Sequence, residues 1–208
     1  MLPRRPTTPT TLAALAALPA LVALAAGAAL ASAPTAAHAE TWSHRDATGD
    51  VVATGGESAP TAAPTNRTAD LHRVTITHTR GAVRVVARVH ELRRTDQLAT
   101  VQLRAPGLHL VTADLVRIDG GTAVHTHVET QDEVRECPSA TGRFRLRTDT
   151  FVVTVPRACL GRPDWVRAAV GYVTIGGSDV GDEQVALDDG LRDGFRLAPR
   201  WSPRIHAG

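Results

Sequence analysis

Lysine is missing from this 208-residue chain, so all 23 of its basic residues are arginine. Together with the abundance of alanine, valine and proline, that absence points to a GC-rich genome before it points to a function. Aromatic residues are nearly as scarce, at three Trp, three Phe and one Tyr. Branched aliphatic side chains must therefore fill a core around Trp42, Trp165 and Trp201, and few rings remain to act as platforms for sugars. There is no Gly-x-Ser-x-Gly run, and beyond residue 39 the only serines are Ser43, Ser58, Ser139, Ser178 and Ser202, none in a strand-to-helix elbow. Serine-hydrolase chemistry is hard to build from these. No segment carries a long apolar stripe at three-four spacing with caps, which limits helices to single turns.

What is present begins with a leader. Arg4 and Arg5 precede an alanine- and leucine-rich run from Leu12 to about Ala31, and Ala37-His38-Ala39 offers small-x-small cleavage before Glu40. This is the pattern of a secretory signal peptide over residues 1–39, and it implies a secreted protein, extracellular or associated with the cell envelope. Pro19 and Gly27 interrupt the apolar run, which weakens the competing reading of a retained membrane anchor. Removing 39 residues from 208 leaves 169, suited to a single domain over 40–208. Arg4 and Arg5 leave with the leader, so 21 of the 23 arginines face 21 acidic residues. A near-neutral mature chain gives no footprint for nucleic acid, and none for insertion into a membrane after cleavage.

Cys137 and Cys159 are the only two cysteines. In an exported chain they read as a disulfide, which ties two β elements and contributes roughly 3 kcal/mol through the unfolded state. A reactive thiol would want neighbouring His or acidic partners, and neither cysteine has them.

Strand periodicity runs through the remainder. Val74 to His78 alternates branched apolar with polar residues, and Val83, Val85, Ala87 and Val89 alternate with Arg84, Val86, Arg88 and His90. Period two means half-buried strands, here joined as a hairpin through Thr79-Arg80-Gly81. Further strands are expected over 99–104, 109–118, 123–129, 143–147, 151–155 and 166–175, with glycine and proline turns between them. The expected fold is all-β, an antiparallel β-sandwich of jelly-roll or immunoglobulin-like type. Glu57 to Thr68 reads as an exposed loop, and the glycine- and acid-rich stretch Gly176 to Gly194 as a mobile or ion-ordered one.

Asp46-Ala47-Thr48-Gly49-Asp50, followed by Ala69-Asp70-Leu71 entering a strand, is similar to the start of sandwich domains of the DOMON and family-nine carbohydrate-binding-module type. Val155 to Val166 and Trp201-Ser202-Pro203-Arg204 resemble uncharacterised secreted actinobacterial β-sandwich proteins, which bring no activity with them. The first resemblance implies a sandwich in which early acidic residues hold calcium. Asp46, Asp50 and Asp70 are the candidates, with Asp182 and its late neighbours Asp179, Glu183, Asp188 and Asp189 completing an oxygen shell. The competing reading is an Asx-type turn at Asp46 and Gly49 with Asp50 and Asp70 solvated, since EF-hand spacing is absent.

His125 and His127 lie two residues apart and share one face of a strand. They are a weak transition-metal candidate, needing a third ligand such as His78, His90 or Glu129 and losing affinity below about pH 6. The plainer reading is the exposed face of a strand whose other face carries Val124, Thr126 and Val128.

Three function classes follow. The favoured one is a non-catalytic binding module for a glycan or other cell-envelope component, with a disulfide or calcium as its staple. The alternative is a structural or interaction protein of the envelope that pairs with a cell-surface protein through a sheet edge. The third is a metal carrier or metal-dependent enzyme using His125 and His127. Carboxylate pairs for glycoside cleavage assemble only in a fold, so the sequence neither provides nor removes them.

Overall fold

A computed structural model describes residues 39–55, 59–176, 184–194, 196 and 198–208. The expected leader over 1–39 falls almost wholly outside the described residues, as do Glu57, Ser178, Asp179, Asp182 and Glu183.

Among the described residues fourteen strands follow in order: β1 (Glu40–Arg45), β2 (Val52–Gly55), β3 (Thr61–Ala62), β4 (Leu71–His78), β5 (Ala82–Val89), β6 (Asp96–Arg104) and β7 (Leu110–Ile118). Then come β8 (Gly121–Glu129), β9 (Val134–Glu136), β10 (Thr141–Arg145), β11 (Thr150–Pro156), β12 (Trp165–Gly176), β13 (Gln184–Asp189) and β14 (Ile205–His206). Among the described residues the only helical pieces are 3-10 turns at Leu146–Thr148 and Arg157–Leu160. The strand runs anticipated from period-two alternation are strands here, except that the one expected over 143–147 ends at Arg145, where Leu146–Thr148 turns as a 3-10 helix.

The strands form two antiparallel sheets in a sandwich. One has the order β1-β4-β5-β11-β10, and the other β3-β2-β13-β12-β6-β7-β8-β9, with β14 adding to β12. Across the layers β4 lies over β12, β11 over β7 and β10 over β8. Alternation decides the layering: Val83, Val85, Ala87 and Val89 of β5 are buried while Arg84 and Arg88 are exposed. Val101, Leu103, Val111, Ala113 and Leu115 close the core from the other sheet. Each such aliphatic side chain contributes roughly 1.5–3 kcal/mol on full burial.

Tight turns hold the register. Asp119 (φ 52°) and Gly120 (φ 77°) both occupy the left-handed region, the requirement of a two-residue turn between Ile118 and Gly121, which pair across β7 and β8.

Two expectations need correction. The tryptophans do not anchor the core. Trp42 is half-buried at its margin, while Trp201 and Trp165 are half-buried with their faces covered by the guanidinium groups of Arg104 and Arg204, at 4.3 and 4.4 Å. The large interior side chains are instead Phe151 and Tyr172, stacked at 5.4 Å. An indole with a polar N–H sits readily at a margin where a cation can cover its face. The late acidic stretch is not all loop either, because Gln184–Asp189 is strand β13, paired with β12 on one side and β2 on the other. Pairing on both sides fixes Gln184 to Leu187, and pairing with β12 carries the strand on through Asp188 and Asp189 despite their low strand propensity.

Cys137 follows β9 and Cys159 lies in the 3-10 turn after β11, with their Cα atoms 5.8 Å apart in a disulfide. Because β9 and β11 belong to different sheets, the bond ties the two layers together.

Candidate functional site

At the side of the sandwich where β1 and β4 meet β2 and β13, the chain buries carboxylates. Asp46 follows β1, Asp50 precedes β2, Asp70 opens β4 and Asp188 lies in β13. The loop carrying the first two must turn sharply. Gly49 takes φ 75°, and a Cβ there would lie 2.9 Å from the carbonyl oxygen of Pro64, so glycine is required on both counts. That turn folds Asp46 and Asp50 back toward the interior.

Alternation along β13 brings in the third group. Tyr172 of β12 points into the core and pairs with Asp188, which is therefore directed inward as well. Oxygens of Asp46, Asp50 and Asp188 all lie within 4.8 Å of one another. Asp46 is 5 % and Asp188 1 % exposed, so little water reaches them.

Some lone pairs are used by the backbone. Leu71 N–H donates to Asp188 Oδ2 (2.7 Å), Gly194 N–H to Asp50 Oδ2 (2.6 Å) and Gly49 N–H to Asp70 Oδ2 (3.0 Å). These bonds fix the carboxylates in place. The other oxygens, Asp46 Oδ1 and Oδ2, Asp50 Oδ1, Asp70 Oδ1 and Asp188 Oδ1, are buried without a hydrogen-bond partner among the described residues. His44 Nε2, 3.9 Å from Asp46 Oδ1, is equally unpartnered. No arginine among the described residues is within ion-pair distance of Asp46, Asp50 or Asp188.

The electrostatic consequence is severe for a metal-free site. Burial, then the neighbouring Asp188, Asp50 and Asp189, push the Asp46 carboxyl up to about 9. Burial also raises Asp188 to about 7, against the lowering effect of its backbone hydrogen bonds. Asp70 is raised by burial, partly offset by the Gly49 N–H. Such a cluster holds protons at neutral pH unless a cation replaces them. An all-carboxylate oxygen set matches a hard divalent cation, calcium foremost.

The structure thus brings Asp46 and Asp50 together with Asp188. Asp70 lies beside them, with His90 Nε2 3.9 Å from its Oδ2. Asp189 points the other way, accepting from Leu191 N–H (3.2 Å) and Arg200 N–H (3.4 Å) and so bracing the turn after β13. Asp182 lies outside the described residues. His44 had no place in the sequence reading, since a single histidine in a polar strand carries no spacing signal.

His125 and His127 are exposed on the outer face of β8, paired across to Asp114 and Thr112 of β7. Thr126 and Val128 between and beyond them are buried. No group of three metal-ligating side chains forms around the pair among the described residues. Of the suggested third ligands, His78 is buried in the other sheet with Nδ1 2.9 Å from the Ile205 carbonyl oxygen. His90 belongs to the Asp70 region, and Glu129 lies two residues along β8 from His127.

The chain matches no protein-family model, no curated protein and no solved structure.

Proposed function

We propose that this chain is an exported, non-catalytic β-sandwich binding module whose two sheets are stapled along one side by a divalent cation, calcium by its ligand chemistry. The observation that carries this reading is the set of buried, unpartnered oxygens on Asp46, Asp50 and Asp188, drawn within 4.8 Å from loops and strands of both layers. Solvated surface acids do not lose both water and hydrogen-bond partners, because an unpaired buried charge is costly.

In this reading Asp50 and Asp188 are held by the backbone bonds from Gly194 and Leu71 and present one free oxygen each, while Asp46 offers both. The cation supplies the positive charge that the site's own residues lack. The likeness of the Asp46 to Leu71 region to DOMON and family-nine modules agrees with a structural ion and not a catalytic one.

The test is thermal unfolding of the purified protein, first stripped with chelator and then titrated with calcium, magnesium or manganese. A concentration-dependent rise in Tm is expected with calcium, and its loss in Asp50→Ala. No shift with any of the three ions would remove the staple.

A further inference from the structure

The outer face of the five-stranded sheet collects arginines and excludes carboxylates. Its outward positions follow from the register. Arg45 pairs with Arg73, Arg73 with Arg88, Arg88 with Thr150, and Thr150 with Arg145, giving one row across all five strands. Arg84 and Arg143 flank that row on β5 and β10. No Asp or Glu occupies an outward position of this face, although acidic and basic residues balance over the chain as a whole.

Like charges directly opposite each other destabilise a sheet. Here three arginines stand in succession on neighbouring strands, about 4.8 Å apart at the backbone. Among the described residues none of the six takes part in an ion pair, and none donates a side-chain hydrogen bond. Elsewhere the protein does pair its arginines, as with Arg93 and Glu91 at 2.8 Å. A bias toward arginine codons supplies arginine in place of lysine, but it does not gather arginines on one face and keep acids off it.

Hydroxyl groups fill the spaces between. Ser43 and Thr75 share a hydrogen bond of 2.7 Å, Thr41 and Thr77 one of 3.2 Å, and Thr154 adjoins Arg84. Beside them Arg84, Thr141, Arg143, Val152 and Thr154 line a depression of about 220 Å³. An array of unpaired guanidinium groups interleaved with hydroxyls complements a chain that carries both acidic groups and hydroxyls.

We propose that this face binds an acidic polysaccharide, the arginines engaging its carboxylate or sulfate groups and the serine and threonine hydroxyls its sugar hydroxyls. A single-stranded nucleic acid would want Trp, Tyr or Phe rings to stack its bases, and the outward positions of this face carry none. A membrane would want large apolar side chains to insert, and the apolar residues at outward positions are only the small or buried Ala82, Val86, Val152 and Pro156. This inference deepens the reading of the chain as a binding module, and it rests on residues separate from the cation site.

The experiment measures binding of the purified protein to hyaluronate, dextran sulfate and uncharged dextran, with calcium present and with chelator. Binding to the two acidic polymers and none to dextran is expected, weakening at least about tenfold between 50 and 200 mM salt as counterions are retained. Arg73→Gln with Arg88→Gln should weaken binding by at least about tenfold while leaving Tm unchanged or higher, because a like-charge contact is removed. Asp46→Asn should retain polysaccharide binding, which separates failure of this surface from failure of the cation site. Absence of binding to both acidic polymers overturns the proposal, as does equal binding by the double variant. Tighter binding to single-stranded DNA or to phosphatidylglycerol vesicles overturns it in favour of those partners.

Discussion

Asp46, just after β1 of one sheet, and Asp188, in β13 of the other, bring carboxylate oxygens within 4.8 Å of each other in a largely buried region. Burial, and after it the neighbouring Asp188, raises the proton affinity of Asp46, and burial raises that of Asp188. With the proposed cation site, this relationship predicts a stability that depends on both pH and cation.

Without a cation, stability should fall as pH rises. Asp46 and Asp188 hold their protons in the fold up to about 9 and about 7, against an ordinary value of 3.8. Between those limits the folded state binds more protons than the unfolded state, so the contribution is complete below pH 4 and is lost as pH climbs through the folded values. Chelated protein melted from pH 5 to pH 9 should show a declining Tm, and the Tm gain from calcium should grow over the same range.

Asp46→Asn should act in opposite directions in the two states. In chelated protein at pH 8 it mimics the protonated acid and removes the need to discharge it, so Tm should rise or hold. In calcium it deletes an oxygen charge, so the calcium-induced shift should shrink sharply. A variant that lowers Tm equally in both conditions would show the site to be mere packing.

Gly49→Ala should weaken both fold and site. Its φ of 75° and the 2.9 Å approach of a Cβ to Pro64 leave alanine strained. A loss on the order of 1–3 kcal/mol in chemical denaturation is expected, with a weaker calcium response because Asp46 and Asp50 are displaced together.

The disulfide closes a span of 22 residues and links the layers. Replacing Cys137 and Cys159 together by alanine should cost roughly 3 kcal/mol, read as a lower denaturant midpoint. The calcium-induced shift should survive, since the cation site joins the sheets through other strands.

In the core, Phe151→Ala should cost about 3–5 kcal/mol, because the ring packs on Tyr172 with no exposure. Tyr172→Phe should cost about 1–3 kcal/mol by leaving the buried Gln97 side chain without the hydroxyl it accepts from. Urea titrations of the two variants would rank them.

Much of the fold was legible from residue order. Val83, Val85, Ala87 and Val89 marked a half-buried strand because side chains alternate at period two whatever partner the strand finds. The short strands β2, β3 and β14 escaped notice because so few residues carry no period, and β1 because Glu40–Arg45 holds a single large apolar residue, Trp42. β13 did so because Asp188-Asp189 resembles loop chemistry until β12 pairs with it.

The site was half legible. Asp46, Asp50 and Asp70 stood out by their turn context, but nothing in their spacing distinguished solvated acids from buried ones. The arginine face left no trace in the sequence reading, since Arg45, Arg73, Arg88 and Arg145 are neighbours only through β pairing.

The sequence by itself determined the period of each long strand, the turns between them and the presence of two thiols, because these depend on contacts within a few residues. Which strands pair, which acids are deprived of water and which arginines share a face are facts of tertiary structure. Burial and register couple residues far apart along the chain, and local preference carries no information about such distances.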